Sequence, residues 1–327
     1  MHHHHHHTTF KQQTIKEKET KRKYCIKGTT ANLTQTHPNG PVCVNRGEEV
    51  ANTTTLLDSG GGINKKSLLQ NLLSKCKTTF QQSFTNANIT LKDEKWLKNV
   101  RTAYFVCDHD GSVELAYLPN VLPKELVEEF TEKFESIQTG RKKDTGYSGI
   151  LDNSMPFNYV TADLSQELGQ YLSEIVNPQI NYYISKLLTC VSSRTINYLV
   201  SLNDSYYALN NCLYPSTAFN SLKPSNDGHR IRKPHKDNLD ITPSSLFYFG
   251  NFQNTEGYLE LTDKNCKVFV QPGDVLFFKG NEYKHVVANI TSGWRIGLVY
   301  FAHKGSKTKP YYEDTQKNSL KIHKETK

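Results

Sequence analysis

Pro234-His235-Lys236-Asp237-Asn238 is the stretch on which the reading of the whole chain depends. It holds a His-x-Asp pair. On an extended strand, residues i and i+2 point to the same face. An imidazole nitrogen and a carboxylate oxygen can then reach one ion from one side, and a third ligand must come from elsewhere. The pair arises readily by chance, so its meaning depends on the residues C-terminal to it.

Fifty residues on comes His285, and ten beyond it Arg295. Between them run alternating apolar segments: Leu246-Phe247-Tyr248-Phe249, Tyr258-Leu259-Glu260-Leu261, Val268-Phe269-Val270 and Val275-Leu276-Phe277-Phe278. Glu256-Gly257, Asp263-Lys264-Asn265 and Pro272-Gly273-Asp274 punctuate them as turns. This is the layout of a small antiparallel barrel or jelly roll, which brings side chains of distant strands to one mouth. Two His and one carboxylate on one octahedral face leave three positions open, the donor set of non-haem Fe(II) oxygenases.

The order His-x-Asp, Gly-Tyr-Leu-Glu-Leu, Pro-Gly-Asp-Val-Leu-Phe-Phe, His, Arg resembles the double-stranded β-helix of 2-oxoglutarate/Fe(II) dioxygenases. The resemblance implies that His235, Asp237 and His285 bind Fe(II), and that Arg295 holds the far carboxylate of 2-oxoglutarate, with O2 as co-substrate.

Outward from this core, Met1 to His7 read as a purification tag. Residues 8–62 form a polar, basic arm ending in Ser59-Gly60-Gly61-Gly62, residues 63–304 the dioxygenase domain, with its β core over about 204–304, and residues 305–327 a basic tail. Lys65 to Phe84 is expected to be helical, with Leu68, Leu69, Leu72, Leu73, Cys76 and Phe80 on one face. Tyr104–Cys107 and Val113–Tyr117 flank Asp110-Gly111 as a hairpin. Asp108-His109-Asp110 belongs to that turn rather than to a metal site. Asn120 to Ile137 is an amphipathic helix entered through Pro123. Two more helices are expected, broken at Pro178, with stripes Leu164, Leu168, Leu172, Ile175 and Ile180, Ile184, Leu187, Leu188. Tyr206–Leu213 reads as a strand, and Ser216–Lys233 as a long polar loop. The fold class is α+β, a jelly roll with helices packed on one sheet.

The formal charge of +8 favours a polyanionic partner. The seven Cys show no Cys-x-x-Cys pair and suit reduced thiols inside a cell. No apolar run reaches the length of a membrane span, and no signal peptide is visible.

Three features point to a nucleic-acid base as substrate. Basic clusters lie in the arm, in the tail, at Arg141, Lys142 and Lys143, and at Arg232 and Lys233; these suit a phosphate backbone. Phe301 and His303 share a strand face with Arg295, so a ring could stack on a flipped base while an imidazole bonds its edge. Asp240, three residues after Asp237, could accept from an exocyclic amine such as N4 of cytosine. An aromatic-x-His after the Arg, with an acidic or amide residue three after the iron Asp, resembles the TET/JBP branch. That likeness implies stepwise oxidation of 5-methylcytosine in double-stranded DNA to 5-hydroxymethyl-, formyl- and carboxylcytosine, with base flipping. It also implies that Asn153 joins the base pocket and that Arg230 assists 2-oxoglutarate. The chain lacks the Cys-rich zinc region of the animal enzymes, so basic loops must clamp the DNA. A monomer in the nucleus is expected. A prolyl-type protein hydroxylase, using the same iron site, is the rival reading.

Overall fold

The computed structural model describes residues 64–82, 84–137, 145–149, 159–160, 165–202, 210–224 and 232–304. Helix α1 (Lys65–Phe80) begins where the Asn64 side chain accepts from the Ser67 amide, and ends at Gln81 in a left-handed conformation, short of the expected Phe84. Then come β1 (Asn88–Leu91), β2 (Asn99–Val100), β3 (Tyr104–Cys107), β4 (Val113–Leu118), α2 (Lys124–Ile137), β5 (Thr145–Gly149) and β6 (Tyr159–Val160). Helices α3 (Gln166–Tyr171), α4 (Asn177–Val191) and α5 (Ser193–Ser201) precede β7 (Ser216–Leu222) and β8 (Ser244–Asn251). The chain closes with β9 (Leu259–Leu261), β10 (Cys266–Val268), β11 (Val275–Phe278), β12 (His285–Val287) and β13 (Trp294–Phe301).

Two sheets result. The larger has the order β1-β3-β4-β11-β8-β13-β7-β5-β6, and the smaller β12-β9-β10-β2. The α+β jelly-roll architecture, a double-stranded β-helix with helices packed on the larger sheet, follows from the alternation of side chains. Along β8, Phe247 and Phe249 join the helices' core while Leu246 and Tyr248 face the smaller sheet. Along β11, Phe277 goes to the helices and Leu276 and Phe278 to the inter-sheet side. Phe134 of α2 sits among Phe130, Tyr171, Phe219 and Phe249, with ring centroids 5.1 to 6.3 Å away. A buried aromatic of this kind contributes about 1.5–3 kcal/mol by leaving water, which locks the larger sheet beneath the helices. No described helix is long and apolar enough to cross a membrane.

Four sequence expectations need correction. Pro178 does not break the helix: Leu172–Val176 widens into a π-turn closed by the Asn177 amide on the Leu172 carbonyl, and α4 continues with Pro178 in its first turn. A proline there needs no amide partner, and the wide turn makes room for its ring. The same turn moves Ile175 off the apolar stripe, leaving it 44% exposed. Asn210–Leu213, the described part of the expected strand Tyr206–Leu213, is a turn; the Asn210 side chain wraps forward to the Tyr214 carbonyl at 2.9 Å. Ser216–Leu222, read as loop, is instead the strand joining β13 to β5. Its polar residues hid it, but Thr217 is satisfied by Asn210 and Asn177 inside the protein.

Candidate metal centre and the cavity beside it

His235 and His285 meet across an antiparallel bridge, with N–H to O distances of 3.0 and 2.9 Å in the two directions. Extended backbone carries Asp237 to the same side, where its amide donates to the Gly280 carbonyl at 2.9 Å. The three side chains converge, their ligand atoms all within 4.8 Å of one another. Asp237 Oδ2 lies 3.3 Å from His285 Nε2, and Oδ1 3.5 Å from His235 Nε2. His285 Nδ1 is 2.8 Å from the Tyr283 carbonyl. An N–H there fixes the tautomer and leaves Nε2 as the lone-pair donor. The Phe278 edge meets the His285 ring at 5.1 Å and 90°, closing the inner side. The side chain of His235 is 59% exposed and that of His285 only 8%, so the centre opens outward past His235.

Two imidazoles and one carboxylate on one side fit a divalent first-row ion such as Fe(II), with positions left over for other ligands. A Cβ at Gly280 would sit 2.8 Å from Asp237 Oδ2. The backbone turn thus cradles the carboxylate where any larger residue would displace it.

A cavity of about 660 Å3 adjoins the centre between the two sheets, within the ordinary range for ligand sites. Arg295 lines it. Its guanidinium is buried, donates through Nε to the Gly257 carbonyl at 2.7 Å and lies over the Tyr248 ring, 5.1 Å from its centroid. No Asp or Glu among the described residues pairs with it. Burial, and then the charge of Arg232, lower its pKa against the opposing pull of Tyr248. A buried cation without an acid partner is costly. The cavity has room for a small dianion such as 2-oxoglutarate, for which the triad's ion and this guanidinium would be the complementary charges. Arg232, expected on a phosphate backbone, lines the same cavity, whereas Lys233 is exposed.

One wall comes from β13 and the residues just after it. Arg295, Gly297, Val299, Phe301 and His303 all line the cavity, while Ile296, Leu298 and Tyr300 face the helices. Asp240 pairs with His303 through a bridge, and its carboxylate accepts from Ser244 Oγ at 3.3 Å. Burial, with Asp237 nearby, pushes the Asp240 carboxyl up to about 7. Phe301 is buried and meets the edge of Tyr147 at 6.3 Å. Tyr147, on β5, was not singled out from the sequence; a lone tyrosine between Gly146 and Ser148 gives no signal of where it will point. Tyr248 could have been found, since it shares the parity of Leu246 on a strand whose other face is Phe247 and Phe249. His109 pairs with Asp93, away from the metal centre. Asn153, Arg230, Arg141, Lys142 and Lys143 lie outside the described residues.

No protein-family model matches the chain. Among solved structures it is similar to a viral collagen prolyl hydroxylase from Paramecium Bursaria Chlorella virus-1, at 11% identity and a TM-score of 0.37, over 59% of this chain and 92% of that one. It is also similar to an oxidoreductase of the 2OG-Fe(II) oxygenase family from Burkholderia pseudomallei, at 12% identity and a TM-score of 0.35, over 59% and 85%. A Pseudomonas putida prolyl-4-hydroxylase matches at 15% identity and a TM-score of 0.34, over 59% and 87%. The likeness is one of partial outline; the chemistry open to the site comes from its own side chains.

Proposed function

We propose that this chain is an Fe(II)- and 2-oxoglutarate-dependent dioxygenase that oxidises the 5-methyl group of cytosine in double-stranded DNA, acting in the nucleus as a monomer. The observation that carries the reading is the single cavity-facing register of β13. Along it a buried Arg295, with no acid partner among the described residues, lines the same cavity as the His-Asp-His centre, and Phe301 and then His303, just past the strand, line its continuation.

His235, Asp237 and His285 would hold the ion, and Arg295 would pair with the distal carboxylate of 2-oxoglutarate. Bound there, Fe(II) with 2-oxoglutarate and O2 supplies the oxidising power for C–H hydroxylation, the co-substrate leaving as succinate and CO2. The chain's own residues decide which C–H bond is met. Phe301 offers a face for a flipped base, His303 and Asp240 offer polar groups to its edge, and Asn153 is the further candidate. Basic residues, Arg141, Lys142, Lys143 and Lys233 among them, would take the phosphates. Repeated oxidation of the same carbon would give the formyl and carboxyl products.

The test is mass spectrometry of nucleosides after incubating methylated duplex DNA with the protein, Fe(II), 2-oxoglutarate and O2. 5-Hydroxymethylcytosine is expected. 2-Oxoglutarate turnover that a prolyl peptide stimulates, and methylated DNA does not, would favour the protein-hydroxylase reading instead.

A further inference from the structure

Glu114 is the lone carboxylate in the apolar run Val113–Leu118, and its side chain is wholly buried. Burying a charge there is costly unless it is paired and hydrogen-bonded. Its partners all lie on one short turn or reach toward it. The Lys279 ammonium forms an ion pair with the carboxylate. The Tyr283 hydroxyl donates to Oε1 at 3.1 Å, and the Lys279 amide donates to the Glu114 carbonyl at 3.3 Å. Lys92 stands 3.8 Å off.

That same turn, Lys279–Tyr283, holds the backbone of one metal-site residue and the side chain of another. The Gly280 carbonyl takes the Asp237 amide at 2.9 Å, and the Tyr283 carbonyl takes His285 Nδ1 at 2.8 Å. Resting on the metal reading of the site, we infer that Glu114 is a positioning residue for the metal centre, acting through Lys279 and Tyr283 on the orientation of Asp237 and His285. Groups that orient metal ligands in this way commonly change metal affinity by about 10–100-fold when removed.

The experiment titrates the metal-free protein with Mn(II), following the free ion by its magnetic-resonance signal, and records the Co(II) absorption spectrum. Tyr283→Phe keeps the ring on Trp96, 5.0 Å away, and removes only the hydroxyl. Glu114→Gln removes the charge. Each should weaken Mn(II) binding about 10-fold and alter the Co(II) spectrum. Tyr117→Phe is the control. It breaks a chemically similar buried contact from the same strand, to Asp274 at 2.6 Å, and should keep the parent's Mn(II) affinity. Folded Tyr283→Phe protein binding Mn(II) like the parent overturns the inference, even if Glu114→Gln does not fold. A parent chain that binds no Mn(II) overturns the metal reading itself, and this inference with it.

Discussion

Asp240 and His303 are partners in an antiparallel bridge that ties the segment after the metal centre to the end of β13. Hydrogen bonds on either side fasten it: Ile241 N–H to the Ala302 carbonyl at 2.9 Å, and Lys304 N–H to the Leu239 carbonyl at 2.8 Å. Asp240 is three residues from Asp237, whose carbonyl accepts its amide at 3.0 Å. Asp240 and His303, the groups proposed for a substrate's polar edge, are therefore held at a fixed offset from the three metal-capable side chains. Such an offset is what a site needs if one chosen carbon is to meet the oxidant.

His235→Ala, Asp237→Ala and His285→Ala should each remove a donor from the ion and abolish oxidation. Folding should survive best at His235, whose side chain is mostly exposed, and less well at His285, which packs against Phe278. Metal titration alongside circular dichroism separates the two effects. Parent-level turnover by any variant removes that residue from the centre.

Arg295→Leu should chiefly raise the 2-oxoglutarate concentration needed. It leaves the distal carboxylate without its partner, a loss on the order of a few kcal/mol. Mn(II) affinity should stay near the parent's. An unchanged co-substrate dependence would move the anchor to Arg232, which lines the same cavity, or to Arg230.

Gly280→Ala should damage the metal centre without replacing any of its three donor residues. The new methyl would lie 2.8 Å from Asp237 Oδ2 and 3.4 Å from His285 Cε1, so the carboxylate must move. Weaker Mn(II) binding with an unfolding midpoint near the parent's is the expected result; unchanged affinity would show that the turn yields instead.

Asp274 gives a pH test of stability. Burial pushes its carboxyl up to about 6, although Tyr117 and the amides of Asn120 and Gln271 donate to it. Between about pH 4 and 6 the unfolded chain has lost this proton and the folded chain keeps it, so stability falls as pH rises through that window. The contribution is on the order of 3 kcal/mol. Urea unfolding of Asp274→Asn should therefore show a smaller decline from pH ~4 to ~7 than the parent. An equal decline would assign the effect to other carboxylates.

Sequence alone made the central strands legible because their alternation is strict: Phe247 and Phe249 must go one way if Leu246 and Tyr248 go the other. The same parity put Arg295, Phe301 and His303 on one face, and the cavity lies along that face. The elements that escaped had no periodic signal. β7 was hidden by Ser216, Thr217, Asn220 and Ser221, whose polarity is read as solvent exposure although Ser216 and Thr217 are fully buried. Tyr147 reaches the cavity only through the pairing of β5 with β7, a long-range contact that local pattern does not encode.

The last prediction separates the substrate from the metal. Phe301 ends β13 and His303 lies two residues past it, both beyond Arg295, and neither is among the three converging donors. Phe301→Ala should remove stacking worth about 1–3 kcal/mol on a flipped base, and His303→Ala a bond to the base edge. Both variants should bind Mn(II) and 2-oxoglutarate like the parent and keep the slow decarboxylation of 2-oxoglutarate that proceeds without substrate. Both should lose most oxidation of 5-methylcytosine. Tyr147→Ala should show a milder loss, since its ring supports Phe301 edge-on. Parent-rate oxidation by both Phe301→Ala and His303→Ala would mean that the base is held elsewhere. Loss of Mn(II) binding in either would mean that the bridge between His303 and Asp240 carries the metal centre's geometry, and the two functions would not be separable along this strand.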